Sequence, residues 1–353
     1  MDKNATVYIA GHRGLVGSAI LREFLAAGHN PQSIILSTHA ELNLANQAET
    51  QAFFENKQPD YVILAAAKVG GIMANNTYPA DFIYDNLIIQ ANVIHAAYLA
   101  GVKRLLFLGS SCIYPRSCPQ PIKEEYLLTG PLEPTNRPYA LAKIAGIEQC
   151  WSYNRQYRTR FLAVMPTNLY GSGDHYDLND SHVIPALIRK FHLAKLAMHG
   201  DWQSIEQDAC RRGPIPEDIM ATLKEGGRQV ILWGDGSSYR EFMYINDMAK
   251  ACLFLMQLPE DVYNLVLNLH SSSLGSGPPL INVGTGEDLT IREMAAIVAE
   301  VVGYHGEIIW DTTKPNGTPR KVLDVTRIKR LGWSPGVKMA DGLQHAYAAY
   351  LKK

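Results

Sequence analysis

Cysteine is scarce in this chain, and none of it is paired by spacing. The five cysteines, Cys112, Cys118, Cys150, Cys210 and Cys252, include no CxxC pair. That argues against a disulfide framework and against structural zinc, and it points to a reducing, cytoplasmic setting. An excess of charge of either sign is also missing: 33 Lys and Arg stand against 34 Asp and Glu, a net −1. Without a basic stripe or a charged tail, nucleic acid is not an expected partner. No apolar run approaches the length of a membrane span, so no membrane association is expected. Met1-Asp2-Lys3-Asn4 leads directly into a strand-like run, and no signal peptide is expected. No bound metal is expected, and neither an internal repeat nor a low-complexity tract occurs. The 353 residues, 47% of them hydrophobic, suffice for one sizeable core and a second, smaller one.

Thr6 to Ala10 has the pattern of a short buried strand. Gly11-His12-Arg13-Gly14-Leu15-Val16-Gly17 follows at once, and Ser18 to Ala27 reads as a helix with Ile20, Phe24 and Leu25 on one face. Strand, glycine turn and helix in that order form the context a dinucleotide site requires. The spacing is GxxGxxG, but the physical roles are unchanged. Gly11 permits the tight turn, Gly14 lets backbone approach a pyrophosphate, and Gly17 lets helix pack on strand. The helix N-terminus then offers amide donors to the phosphates. Ser33 to Leu36 reads as the second strand. It ends in Ser37-Thr38-His39, without the acid that would bind the ribose hydroxyls of NAD. Arg13 is placed to meet a 2′-phosphate instead, unless it is an ordinary surface cation. Both features favour NADP(H).

Further buried strands are expected at Tyr61 to Ala65, Leu105 to Leu108 and Phe161 to Met165, with a long helix from Pro79 to Ala100. Ligands of such doubly wound sheets bind beyond the carboxyl ends of the strands. Leu108, Gly109, Ser110, Ser111 and Cys112 are therefore candidates, as are Pro166, Thr167, Asn168 and Leu169. After Gly171 the βα rhythm stops. His182 precedes a helix start, Val230 to Gly234 is strand-like, and a Ser/Gly-rich loop runs from Ser271 to Pro279. Thr290 to Val302 reads as a helix with Thr290 as cap and Glu293 three residues on. The expected fold is α/β: a Rossmann-type doubly wound parallel sheet over 1–170, to which later segments return, and a smaller α/β substrate domain over 171–353.

Tyr139-Ala-Leu-Ala-Lys143 lies in an Ala-rich helical pattern, which puts the two polar side chains one turn apart on one face. A phenol has a pKa of about 10, and a nearby ammonium is expected to lower it. The pair then suits proton transfer to a carbonyl oxygen during reduction. In isolation, such a pair reads as a packed Tyr and a solvated Lys.

The segments GHRGLVGSA, AAAKVGGIMANNTYPADFIYDN, FLGSSCIYP, EPTNRPYALAKIAGI, MPTNLYG, SHVIPALI, REFMYINDMA, INVGTG and KPNGTPRKVLD together resemble the extended short-chain dehydrogenase/reductase superfamily, and within it the enzymes that epimerise and reduce GDP-4-keto-6-deoxy sugars. The resemblance spans almost the whole chain. It implies NADPH, a GDP-sugar held by the C-terminal domain, and a homodimer. The implied reaction is 3,5-epimerisation and 4-reduction of GDP-4-keto-6-deoxy-D-mannose to GDP-L-fucose. It implies Tyr139 as proton donor to the C4 oxygen, Lys143 as its partner on the ribose, and Ser110 as the hydroxyl that orients the ketone. Cys112 and His182 resemble the epimerising pair, with His182 also near the cofactor. Lys190, Trp233, Arg240 and Asn316 resemble groups on the GDP side. Taken singly, Cys112 reads as a packed residue, His182 as a helix cap, Trp233 as core and Arg240 as solvated.

Three features depart from the family pattern. Residues 193–229 read as an insertion, with a short helix bearing Ile219, Met220 and Leu223 and a stop at Gly226-Gly227. Asn316 stands where an Asp is usual. Ser37 to Ala40 lacks the usual arginines. The insertion leaves room for a related substrate such as a GDP-4-keto-6-deoxyheptose, or for reduction alone. A nucleotide-sugar 4-epimerase that retains NAD and a non-catalytic dinucleotide sensor are the remaining alternatives.

Overall fold

The computed structural model describes residues 1–268, 278–314 and 316–352; most of the Ser/Gly-rich loop lies outside them. The first half alternates strands and helices: β1 (Val7–Ala10), α1 (Leu15–Ala26), β2 (Ile34–Ile35), α2 (Gln47–Lys57), β3 (Tyr61–Leu64), α3 (Ile72–Thr77), α4 (Pro79–Leu99), β4 (Arg104–Leu108), α5 (Arg137–Tyr157) and β5 (Phe161–Pro166). The second half contains β6 (Asn168–Tyr170), α6 (Val183–Met198), α7 (Trp202–Arg212), α8 (Glu217–Lys224), β7 (Gln229–Trp233), β8 (Tyr239–Arg240), β9 (Phe242–Tyr244), α9 (Ile245–Gln257), α10 (Glu260–Asn268), β10 (Leu280–Val283), β11 (Leu289–Thr290), α11 (Ile291–Val302), β12 (Glu307–Asp311), β13 (Arg320–Lys321), α12 (Thr326–Arg330) and α13 (Met339–Lys352).

Six strands form one parallel sheet in the order β10-β5-β4-β3-β1-β2. The runs VYIA and RLLFL are buried along their whole length, as strands covered on both faces must be. Chain order reverses around β1, so a crevice opens at the carboxyl ends of β1, β3 and β4. β10 returns to this sheet from beyond residue 279 and pairs with β5, and α9 packs on α1.

Several boundaries differ from expectation. The second strand shrinks to Ile34–Ile35, because an edge strand has only one neighbour to pair with. α1 begins inside the glycine motif, at Leu15. Ile20 and Phe24 are buried, whereas Leu25 is exposed. Asn168–Tyr170, expected only as a strand end, is a separate strand paired with β9. Residues 193–198 complete α6, and the rest of the segment that reads as an insertion forms α7, α8 and their turns. α11 carries the expected capping box, Thr290 and Glu293 bonding reciprocally. Beyond the main sheet, the second half adds the parallel pair β12-β7 and the ladder β11-β8-β13. No described helix is long and apolar enough to cross a membrane.

Candidate active site

The glycine turn leaves no room for side chains. A Cβ on Gly11, whose φ is +85°, would lie 2.8 Å from the Ala66 nitrogen, and one on Gly17 would lie 2.1 Å from the Gly11 oxygen. Gly14 donates to Gly11 O at 3.0 Å and is the N-cap of α1, with no side-chain cap. The first amides of α1, at Leu15 and Val16, are therefore presented to the crevice. Nδ1 of His12 is buried with no partner among the described residues. A close-packed cradle, open amides and an orphaned donor or acceptor fit a dinucleotide pyrophosphate. Arg13 is exposed, as a ligand for a 2′-phosphate must be. Its charge and that of His12 act on Glu41, whose carboxylate accepts from Thr38 N at 2.7 Å beyond β2. On the far side, a Cβ on Gly109 would lie 2.5 Å from the Met165 sulfur, so the Met165 side chain packs directly on the Gly109 backbone. Ser111 is buried beside it. Thr167 and Asn168 direct their side chains to the Glu241 carbonyl, at 3.2 and 2.8 Å. Those two side chains tie the domains together, and Pro166 and Leu169, both half-buried, are left beside the crevice.

At the end of β4 the chain turns sharply. Ser110 caps the turn Ser111–Ile113, its hydroxyl accepting from Cys112 N at 3.2 Å. α5 lies against β4 through small residues: a Cβ on Gly146 would lie 2.5 Å from the Phe107 ring. This close approach brings Tyr139 near Ser110, whose hydroxyl acts to lower the phenol's pKa. Lys143, 3% exposed, donates to Leu108 O at 2.9 Å and stacks over Phe107. Its charge state departs from expectation. Burial pushes its pKa down to about 7, and burial raises that of Tyr139, with the Cys112 charge adding to the rise and the Ser110 hydroxyl opposing it. The Lys143 Nζ sits 5.8 Å from the Tyr139 ring centre, and burial is the largest influence on the phenol. Tyr139 is thus held in its proton-bearing form.

Cys112 is half-buried and free. Its partner is one that the sequence did not single out: the Lys321 ammonium lies 3.8 Å from the sulfur. Lys321 sits on β13 in register with Arg240 on β8, so the two residues are neighbours across that strand pair. Arg240 is half-buried; desolvation lowers its pKa, and it donates to Tyr239 O at 2.7 Å. The next residue, Glu241, is fully buried and accepts from the amides of Thr285, Gly286 and Leu323 at 2.6, 2.8 and 2.8 Å. It fixes β13 against the first domain. Both Lys321 and Glu241 lie within segments that carry the family resemblance. Their signal is a charged residue beside a short strand, which is too common to stand out.

His182 occupies the N-cap position of α6 but makes no capping bond. Desolvation lowers its pKa, and the charge of Asp180 opposes that shift. Its loop reaches the crevice through Gly71 N, which donates to Asp180 O at 3.1 Å. Lys190 and Trp233 form a separate group around α6 and β7. Trp233 is 55% exposed and is not a core residue. Asn316 lies against the turn that follows Trp233. Its amide oxygen accepts from Asp235 N at 2.8 Å and its carbonyl from the Ser238 hydroxyl at 2.8 Å. It braces the turn after Trp233, so its oxygen is already engaged. Among the described residues no group of three or more His, Cys, Asp or Glu could hold a metal ion.

Residues 7–266 match the model of the NAD dependent epimerase/dehydratase family. GDP-L-fucose synthase 1 of Arabidopsis thaliana is 49% identical over 351 residues, covering 99% of this chain and 94% of that one. GDP-L-fucose synthase of Escherichia coli K12 is 47% identical over 349 residues, covering 98% and 96%. A solved GDP-mannoheptose C4 reductase from Campylobacter jejuni with NADP bound superposes with a TM-score of 0.84 at 38% identity, covering 99% of each chain.

Proposed function

This chain belongs to the NAD dependent epimerase/dehydratase family, and from that premise we propose that it is an NADPH-dependent enzyme that epimerises C3 and C5 and reduces C4 of GDP-4-keto-6-deoxy-D-mannose, giving GDP-L-fucose. The observation that carries the reading is the gathering of Ser110, Cys112, Tyr139 and Lys321 at the carboxyl end of one strand.

The C4 ketone acidifies the hydrogens on C3 and C5. The Cys112 sulfur removes each from one face, with the Lys321 ammonium beside it as counter-charge. His182 returns a proton from the other face; its lowered pKa makes its protonated form a ready donor. NADPH, when bound on the glycine turn, supplies the hydride for C4. Ser110 orients the ketone oxygen, and Tyr139 gives it a proton. Burial keeps the phenol protonated until that moment. Lys143 holds the cofactor ribose. Arg13 holds the 2′-phosphate. Arg240, Lys190 and Trp233 hold the GDP portion. Residues 1–170 with β10 form the cofactor domain, and most of 171–353 forms the substrate domain. The protein acts in the cytoplasm, in keeping with five free cysteines. It acts as a homodimer, in keeping with exposed Tyr84 and Leu87 on α4 and Leu141 on α5, two helices that pack side by side.

Incubation with GDP-4-keto-6-deoxy-D-mannose and NADPH should yield GDP-L-fucose, identified by NMR stereochemistry. A 4-reduced sugar with unchanged C3 and C5 would overturn the epimerase half. A second reading, reduction of a GDP-4-keto-6-deoxyheptose, is favoured by the likeness to the mannoheptose reductase. Turnover of that sugar alone would establish it.

A further inference from the structure

Cys112 lies on the short turn Ser111–Ile113, and Lys321 lies on a strand of two residues. The two segments are joined behind the site by Asn282 of β10, which is fully buried. Its amide nitrogen donates to Ile122 O at 2.9 Å and to Asp324 O at 3.1 Å. Its amide oxygen accepts from the Tyr114 hydroxyl at 2.6 Å. Tyr114 stands two residues after Cys112, and Asp324 three residues after Lys321. Among side chains of this size, only a carboxamide offers two donors and an acceptor on one planar head. Turning the amide over would set its oxygen against two carbonyls, so the network fixes its orientation. The backbone of Asn282 is engaged as well: its N–H donates to the Glu124 carboxylate at 3.1 Å, and Arg327 lies 3.4 Å from the other oxygen of that carboxylate. Tyr114 is itself buried. Burial raises its pKa and the Glu124 charge adds to the rise, so the hydroxyl stays a donor.

Around Asn282 the two segments also pair directly. Ile122 and Leu323 form a parallel bridge, in which Ile122 N donates to Val322 O and Asp324 N to Ile122 O, each at 2.8 Å. Val322 N, next to Lys321, donates to the Gln120 side chain at 2.9 Å. These bonds hold the Lys321 segment to residues 120–122, but residue 120 lies eight positions past Cys112. The Tyr114 hydroxyl is the short route from the hub back to the turn that carries the sulfur. Its loss would leave the Asn282 oxygen buried without that donor, which is costly. We propose that Tyr114 and Asn282 are positioning residues for epimerisation, their hydrogen bond holding the Cys112 sulfur within reach of the Lys321 ammonium. Both are buried and act through that pair. The inference rests on the reading of Cys112 as the epimerising base.

The test is a double-mutant cycle on the full chain, read as deuterium incorporation from heavy water at C3 and C5 of GDP-4-keto-6-deoxy-D-mannose. Tyr114→Phe keeps the ring and its packing and removes only the hydroxyl. It should slow incorporation by about 10-fold, with less effect on reduction of an already epimerised ketone. Added to Lys321→Met, it should cost less than about 3-fold more, because the pair it positions is already gone. The pH profile of Cys112 alkylation by iodoacetamide, followed on the Cys112 peptide by mass spectrometry, should move in Tyr114→Phe towards that of Lys321→Met. Exchange at the wild-type rate in Tyr114→Phe overturns the proposal, as does a double variant whose loss is the product of the two single losses. An unchanged alkylation profile overturns it too. A wild type that reduces the ketone without exchange at C3 and C5 overturns instead the reading of Cys112 as base, and the alkylation profile then decides the positioning by itself.

Discussion

The Lys321 ammonium lies 3.8 Å from the Cys112 sulfur, although 209 residues separate the two. β13 is two residues long. It is held by its ladder with β8 and by Glu241, which accepts from Leu323 N two residues beyond Lys321. The base proposed for epimerisation thus acquires its counter-charge from the opposite domain.

Lys321→Met should slow solvent deuterium incorporation at C3 and C5 by about 100-fold or more, with much less effect on reduction of an already epimerised ketone. Lys321→Arg should recover part of the loss. Mass spectrometry of the sugar in heavy water reads both.

Tyr139→Phe should remove reduction, with a fall of about 100- to 10,000-fold, and leave C3 and C5 exchange in place. Cys112→Ser should do the reverse. Equal loss of both activities in each variant would refute the division between phenol and thiol.

The Lys143 pKa of about 7 lies below its ordinary 10.5. Between those values the unfolded chain binds a proton that the folded chain has released. Stability of the cofactor-free protein should therefore rise with pH above 7, and below 7 the buried charge exerts its full cost. Denaturant midpoints at pH 6, 8 and 9.5 should show the rise. Lys143→Met should flatten it and be more stable than wild type at pH 6.

Glu241→Gln replaces a buried acceptor of three amide hydrogen bonds with an amide that has one acceptor oxygen and two donors. A loss of about 2–4 kcal/mol is expected by urea denaturation. C3 and C5 exchange should fall with it, because the segment bearing Lys321 loses its anchor.

Much of this molecule is written in consecutive residues. The glycine turn, the apolar strands, the Tyr139–Lys143 spacing and the Thr290–Glu293 cap each depend on a few neighbours, and backbone geometry is enough to read them. The start of α1 at Leu15 and the shortening of β2 were less legible, because they depend on what lies across the turn or the sheet edge. Three features came only from the tertiary structure. The Lys143 pKa falls because packing on Phe107 and Leu108 removes its water. Lys321 meets Cys112 because the ladder of β13 with β8 carries it to the turn after β4. Asp218 and Lys190 line one recess because a buried Arg189–Asp208 pair holds α7 against α6, with α8 packed beside it. Desolvation and long-range pairing depend on which distant segments close over a residue, and no local pattern in the chain records that.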